Sequence, residues 1–207
     1  MAKVFNLGKL EITHLGHASF KIKIPPSEAI GLEFVIYFDP YQVRSGEKAD
    51  LILITHRHHD HYDEKSIEVL RKKETRVLIG GTDIKENEEK QISGFAVKAV
   101  PAYNLIKPFH PRGKGVGFVL QIDGERIYYA GDTDKIPEMS ELGKIDLAFL
   151  PIGGTYTMNL QEAVETVEII DPKIVIPMHY NTFSEIKASP EEFKNLVGRK
   201  AEVVILE

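Results

Sequence analysis

Short runs of apolar and β-branched residues, several of them alternating with polar residues, recur along the chain and predict mainly strands. The runs are KLEITHL, SFKIKI, EFVIYF, LILIT, RVLIG, FAVKAV, GFVLQI, RIYYAG, LAFLPI, KIVIPM and EVVILE. Glycine and proline separate many of these runs, and Asp123-Gly124 is typical of a two-residue hairpin turn. The pattern therefore indicates a protein rich in β-sheet.

Three helices are predicted from capping signals and apolar spacing. Asn159 and Glu162 have capping-box spacing at the start of NLQEAVETVEII, whose apolar residues fall on one face. Ser189 and Pro190 begin, and Gly198 ends, the predicted helix SPEEFKNLVG. The segment DEKSIEVLRKK is a third, shorter helix. Strands followed by helices that cover them favour a layered α/β protein with mixed sheets.

The 207 residues are enough for one sizeable core, so a single domain spanning residues 1–207 is expected. The net charge of −5 argues against a surface built for nucleic acid. Apolar runs are too short for a bilayer span, and the N-terminus lacks the layout of a signal peptide. The absence of cysteine excludes disulfides and thiolate metal sites and favours a cytoplasmic location.

Four of the apolar runs end in a potential metal ligand. FVIYF leads to Asp39, LILIT to His56, RIYYAG to Asp132 and KIVIPM to His179. Side chains at the carboxyl ends of neighbouring strands converge, and imidazole with carboxylate suits Zn²⁺, Mn²⁺ or Fe²⁺. Each residue alone also fits an ordinary structural role, such as an aspartate in a turn. The four together, however, predict one metal centre.

The segment HRHHDH contains the densest candidate chemistry. His56 and His58 are two residues apart, so on an extended chain both point to the same side. Asp60 and His61 follow where the chain turns towards the DEKS segment. The spacing offers two ligand pairs a short step apart, as a two-metal site requires. His59 alternates away from His58 and is expected to be structural or exposed.

At this point the sequence resembles the metallo-β-lactamase superfamily. HRHHDH matches its H-x-H-x-D-H signature, and Asp39 before it and AGDTD and IPMHY after it occur in the order of that superfamily. THLGHASF and LPIGGTYTM resemble its branch of small hydrolases that includes ascorbate-6-phosphate lactonase-like proteins. The resemblance implies an α/β fold, a four-layer αβ/βα sandwich of two mixed β-sheets with helices on the outer faces.

The resemblance also implies a ligand set. His56 and His58 would hold a first ion, and Asp60, His61 and His179 a second, with Asp132 bridging the two. The remaining histidine of the first ion is expected shortly before a strand such as GFVLQI; His110 fits by position, with His14 and His17 as alternatives. Asp39 would support the ligands through hydrogen bonds, and His17 would lie near substrate or ligands.

The implied activity is hydrolysis by hydroxide held between two divalent metal ions, with Asp60 orienting or shuttling a proton. Zn²⁺ is preferred, and Mn²⁺, Fe²⁺ or Ni²⁺ also suit the ligands. The substrate is expected to be a small molecule with an ester, lactone or phosphoester bond. HPRGKGVG could bind an anionic group, or be only the approach to a hairpin, and GGTYTM could contact substrate.

Three other functions are weighed against this one. A nuclease of the same superfamily is disfavoured by the acidic balance of the chain. A di-iron oxidoreductase is disfavoured because that branch usually has Glu where this chain has His58. A non-enzymatic metal-binding protein is disfavoured by the intact ligand set. Homo-oligomerisation is left open, since relatives with this minimal domain often self-associate.

Overall fold

A computed structural model describes residues 4–28 and 30–206 of the chain. The strands form two sheets, of six and seven strands. The first sheet contains, side by side in chain order, β1 (Val4–Leu7), β2 (Leu10–Gly16), β3 (Ser19–Ile24), β4 (Phe34–Phe38), β5 (Ala49–Ile54) and β6 (Arg71–Ile79). The second contains, from edge to edge, β7 (Glu89–Ile92), β8 (Phe95–Pro101), β9 (Val116–Ile122), β10 (Glu125–Tyr129), β11 (Leu147–Pro151), β12 (Ile174–Met178) and β13 (Glu202–Val203).

Both sheets are mixed, as predicted. In the first, β1 to β4 pair antiparallel, and β5 and β6 continue parallel to β4. In the second, β7 to β10 pair antiparallel, and β11 to β13 continue parallel to β10. Parallel strands end at the same edge of a sheet, so β4 and β5 end together, as do β10 and β12.

The two sheets pack face to face through buried aromatic side chains. Phe20 of β3 meets Phe149 of β11 with ring centroids 4.5 Å apart. Phe38 of β4 stacks on Tyr129 of β10, also at 4.5 Å. All four side chains are fully buried, and aromatic pairs of this kind add to the free energy gained by burying their area.

The helix α1 (Glu64–Leu70) covers the outer face of the first sheet. Its Ile67 and Leu70 join a cluster with Ile52 and Ile54 of β5 that is separate from the central core. Successive residues of a strand point to opposite faces. Leu51 and Leu53 of β5 accordingly point into the central core.

The helices α2 (Leu160–Ile170) and α3 (Pro190–Val197) pack against each other and join the core on the side of the second sheet. Asn159 and Glu162 form the predicted capping box, and Ser189 caps α3. The predicted fold class, an αβ/βα sandwich, is confirmed. None of the helices in residues 4–28 and 30–206 combines the length and the apolar character needed to cross a bilayer.

The structure corrects several predicted elements. The predicted helix DEKSIEVLRKK ends at Leu70, because Arg71 is extended and begins β6. The predicted strand EVVILE pairs only over Glu202–Val203, and its last residue lies outside the described residues. The strands β1 and β7 and a 3₁₀ helix, Pro137–Glu141, escaped prediction. The four strands with these errors, β1, β6, β7 and β13, are all edge strands. Edge strands are short or charged and lack the apolar pattern of central strands.

The predicted hairpin at Asp123-Gly124 is confirmed. It joins β9 to β10, and both residues have positive φ, 49° and 85°. This conformation matches the twist of two-residue hairpins.

Candidate metal centre

The four strand ends predicted to carry ligands bring their side chains into the protein interior. Asp39 directly follows β4, His56 follows β5 after one residue, Asp132 follows β10 and His179 directly follows β12. All four residues are buried. The φ angles of Asp39, His179 and His17 are all positive, at 40°, 55° and 56°. Non-glycine residues in this strained conformation concentrate at functional sites.

A first group consists of His56, His58 and His110, whose nitrogen atoms all lie within 4.8 Å of one another. His58 Nδ1 is 3.0 Å from His56 Nε2 and 3.2 Å from His110 Nε2. His14, an alternative for the third position, instead lies with Nδ1 2.6 Å from the carbonyl oxygen of Leu206. The geometry therefore supports His110, whose role as a ligand stays a prediction.

A second group consists of His17, Asp60, His61 and His179, with one potential ligand atom of each within the same 4.8 Å. Asp60 Oδ2 lies 3.1 Å from His17 Nε2, 3.8 Å from His61 Nε2 and 3.9 Å from His179 Nε2. His17, expected near the site, is thus a member of the group. His59 does not take part, because its side chain is 81% exposed.

Asp132 lies between the two groups. Its Oδ2 is 3.3 Å from His110 Nε2 of the first group and 3.0 Å from His179 Nε2 of the second. Its Oδ1 is 3.4 Å from His61 Nε2, and His56, His61 and Asp132 form a third set of mutually close ligand atoms. This is the position that a carboxylate bridging two ions would occupy.

Several buried atoms at this point have no hydrogen-bond partner within residues 4–28 and 30–206. They are His61 Nε2, Asp132 Oδ1 and both ring nitrogens of His179. An unpaired buried polar atom costs about 1–3 kcal/mol, so a cluster of them calls for an explanation. A metal ion would satisfy the atoms that converge, and a set of imidazole and carboxylate ligands without thiolate fits a divalent ion.

Burial and neighbouring charges determine the protonation of the ligands. Burial, helped by the charge of His61, lowers the pKa of His56 well below its usual range and leaves a neutral ring. Burial acts to raise the pKa of Asp132, but His179 and His61 outweigh it and hold that pKa well below its usual range. A neutral imidazole and an ionised carboxylate are the forms that bind metal.

Asp39 supports the site without belonging to any of the three groups. Its Oδ1 accepts from the Thr55 amide at 2.7 Å, and its Oδ2 accepts from His61 Nδ1 at 2.7 Å and from the Tyr129 hydroxyl at 3.1 Å. Burial opposes charge on His61, but Asp132 and Asp39 raise its pKa well above the usual value. A cation at Nε2 would therefore have to displace a proton.

Asn104 holds His110 from the other side, and nothing in the sequence pattern indicated it. Its Oδ1 accepts from His110 N and lies 3.0 Å from His110 Nδ1. Its amide nitrogen donates to Asp134 Oδ1, which also pairs with Lys107. With Nδ1 protonated and donating to Asn104, the free Nε2 faces the site. Asp134 lies inside the AGDTD motif, which is the sole sequence signal for this network.

Replacement of Asn104 by Ala should weaken binding of the ion held by the first group about 10- to 100-fold, because His110 loses the acceptor that orients its ring. Zinc affinity measured by competition with a chromogenic chelator tests this. Asn195→Ala, on the exposed face of α3, is the matched control. Equal zinc affinities of the two variants would contradict the role of Asn104.

The segment HPRGKGVG does not form a backbone cradle for phosphate. Arg112 pairs with Glu86 and Glu138. The amide of Gly113 donates to Glu86, and that of Lys114 donates to the carbonyl oxygen of Pro111. Because these donors are already used, the amides of Gly113 and Lys114 are not available to an anion, and binding of an anionic group by side chains of this segment stays a prediction.

The segment GGTYTM uses its backbone donors in a similar way. The Gly154 amide donates to the carbonyl oxygen of Met158, and the Thr155 amide to that of Gly153. Neither amide is therefore free to stabilise an oxyanion. Tyr156, by contrast, lines a cavity at the site, so a contact of this segment with substrate stays a prediction.

The fold and the paired His/Asp groups define a protein of the metallo-β-lactamase superfamily, and comparison with known proteins agrees. A model of the β-lactamase superfamily domain matches residues 11–179. A relative from Thermococcus onnurineus, "UPF0173 metal-dependent hydrolase", is 38% identical over 95% of this chain and 96% of its own length. The chain belongs to this UPF0173 family of metal-dependent hydrolases within the superfamily.

Solved structures support the same assignment. A crystal structure from Parabacteroides distasonis matches with a TM-score of 0.85 and 32% identity, covering 100% of this chain and 98% of that one. A metallo hydrolase from Ignicoccus hospitalis matches with a TM-score of 0.78 and 27% identity over 96% and 95% of the two chains. The finer resemblance to ascorbate-6-phosphate lactonase-like proteins stays a prediction.

Proposed function

We propose that the protein hydrolyses an ester, lactone or phosphoester bond of a small substrate with a pair of divalent metal ions as its cofactor. The observation that carries the proposal is the cluster of buried ligand atoms without hydrogen-bond partners on His61, Asp132 and His179. It lies beside the group of His56, His58 and His110.

The chain offers ligands for two ions. His56, His58 and His110 would hold the first ion, Asp60, His61 and His179 the second, and Asp132 would contact both. Zn²⁺ suits this set best, and Mn²⁺, Fe²⁺ or Ni²⁺ are compatible with it. When bound, two such ions would supply a hydroxide nucleophile at neutral pH and would polarise the bond to be attacked.

Asp60 and His17 act as a pair. Burial lowers the pKa of His17 to about 4, against the hydrogen bond to Asp60, so the ring is neutral at pH 7. A carboxylate only accepts, so His17 Nε2 carries the proton and donates to Asp60 Oδ2 at 3.1 Å, while Nδ1 accepts from the Thr182 hydroxyl at 3.1 Å. His17 thereby fixes the orientation of Asp60.

Asp60 is suited to orient a proton of the reacting water. Burial acts to raise its pKa, but the hydrogen bond from His17 and the charge of His61 hold the pKa below its usual range. Asp60 therefore stays ionised as an acceptor. Its side chain is 13% exposed, against 3% or less for Asp132, His61 and His179, so it is the most open to substrate of these four residues.

Two neighbouring histidines of the HRHHDH segment test the proposal. His58→Ala should lose bound metal and hydrolysis of esters, lactones or bis(p-nitrophenyl) phosphate, because His58 is central to the first group. His59→Ala, which removes an exposed ring one residue away, should leave the metal content unchanged. Elemental analysis and rates on this panel, before and after chelation, provide the measurement. Full activity of His58→Ala with normal metal content would refute the proposal.

A further inference from the structure

Two cavities flank the metal centre and share His58, Phe109, His110 and Asp132 as lining residues. The first cavity, of about 420 Å³, lies against the group of His56, His58 and His110. The second, of about 370 Å³, lies on the side of Asp60 and His179. Each has the size of a small-molecule site, so a substrate at the metal centre can extend into both.

The first cavity is cationic. Arg57 and Lys114 line it, and neither forms an ion pair within residues 4–28 and 30–206. Arg57 lies with its guanidinium 5.1 Å from the centre of the Tyr62 ring, which restrains it. The neighbouring Arg112, by contrast, is neutralised by glutamates. Among the described lining residues the sole carboxylate is Asp132, which faces the metal centre.

The second cavity is aromatic and acidic. Phe109 and Tyr156 form an edge-to-face pair in its wall, with ring centroids 4.8 Å apart, and Phe183 contributes a further ring. The carboxylates of Asp60 and Glu185 also line it, and the described lining includes no lysine or arginine. This cavity favours an apolar group and repels an anion.

We propose that the substrate is an amphipathic anion, bound with its negative group in the first cavity and its apolar group in the second. The inference rests on the proposed function, since the bond to be cleaved lies between the cavities, beside Asp132 and His110. The opposite orientation places the anion near Glu185 and removes it from Arg57 and Lys114. The difference in charge between the two cavities therefore determines orientation as well as substrate class.

Binding to the metal-loaded protein tests the inference without hydrolysis. By calorimetry, 4-phenylbutyrate should bind more tightly than neutral 4-phenylbutanol. Lys114→Glu should lower the affinity for 4-phenylbutyrate about five- to tenfold, because an exposed attraction between charges becomes a repulsion. Phe183→Ala should lower the affinity for both ligands, since both place a phenyl ring in the second cavity.

Lys194→Glu is the matched control, because Lys194 is an exposed lysine on α3 and the change in net charge is identical. It should bind 4-phenylbutyrate as the unmodified protein does. Equal affinities of Lys114→Glu and Lys194→Glu would mean that the carboxylate simply binds the metal ions, which would overturn the inference.

Ester hydrolysis distinguishes failure of the inference from failure of the proposed function. Monophenyl succinate, cleaved by water to phenol and succinate, should have a higher kcat/KM than phenyl butyrate, and Lys114→Glu should remove that preference. Similar kcat/KM values for the two esters would overturn the inference and leave the hydrolase proposal standing. If neither ester is hydrolysed, that result counts against the proposed function alone. The binding comparison would still decide the orientation of the ligand.

Discussion

Asp132→Ala is expected to lose both proposed metal ions and to lower kcat/KM by more than about 100-fold. Removing a residue that only supports a ligand through a hydrogen bond costs up to about 100-fold, and removing a ligand itself should cost more. The reason is its position: its carboxylate oxygens lie 3.0–3.4 Å from the Nε2 atoms of His179, His110 and His61. Truncation removes the carboxylate that, among the described residues, lies close to both histidine groups, and it leaves those imidazoles facing each other. Metal content per chain and hydrolysis rates measure the effect.

Asp146→Ala is the matched control for Asp132→Ala. Asp146 is another buried aspartate of the second sheet, just before β11, where it accepts from the Arg126 amide and pairs with Lys173. Its loss should reduce the free energy of unfolding but leave metal content unchanged. Retention of two equivalents of metal by Asp132→Ala would show that this carboxylate does not bridge.

The central part of the fold was predictable because the physical pattern is local. LILI and IVIPM are apolar throughout, as strands buried on both faces must be, and both became interior strands of their sheets. The segment after Leu70 was not predictable in this way. Its charges suit an exposed helix as well as an edge strand, and pairing of Arg71 with Ala49 decided between them. That pairing is a tertiary contact, which local sequence does not contain.

Asp39, His56, Asp132 and His179 could be named from sequence because they follow strand ends, and the resemblance to the superfamily motif supplied the other candidate ligands. The residues that orient them could not. Asn104 lies in the loop after β8 and Tyr129 lies inside β10, and each contacts the site only through the packing of the two sheets. The strained φ of His17 and His179 is likewise invisible in sequence. Sequence thus indicates the chemistry, and the fold supplies the orientation.

Asp39→Asn is expected to lower the affinity of the ion held by His61 about 10- to 100-fold while the protein still folds. The carboxylate accepts from the Thr55 amide on one oxygen and from His61 Nδ1 on the other. An asparagine has one acceptor oxygen, so its amino group must face one of these donors. The Thr55 amide cannot change, whereas His61 can move its proton to Nε2. Chelator competition measures the lost affinity.

The tautomer change makes this prediction specific. A cation at His61 Nε2 leaves the remaining ring proton on Nδ1, and in Asp39→Asn that proton would face an amino group instead of an acceptor, although the ring stays in place. Unfolding in urea should show that the free energy of unfolding falls by about 1–3 kcal/mol, the cost of disturbing a buried hydrogen-bond network. Asp50→Asn, which alters a carboxylate that accepts from Val35 N at the opposite end of β5, should leave metal affinity unchanged. Unaltered zinc affinity in Asp39→Asn would mean that His61 binds metal without help from Asp39, or does not bind metal at all.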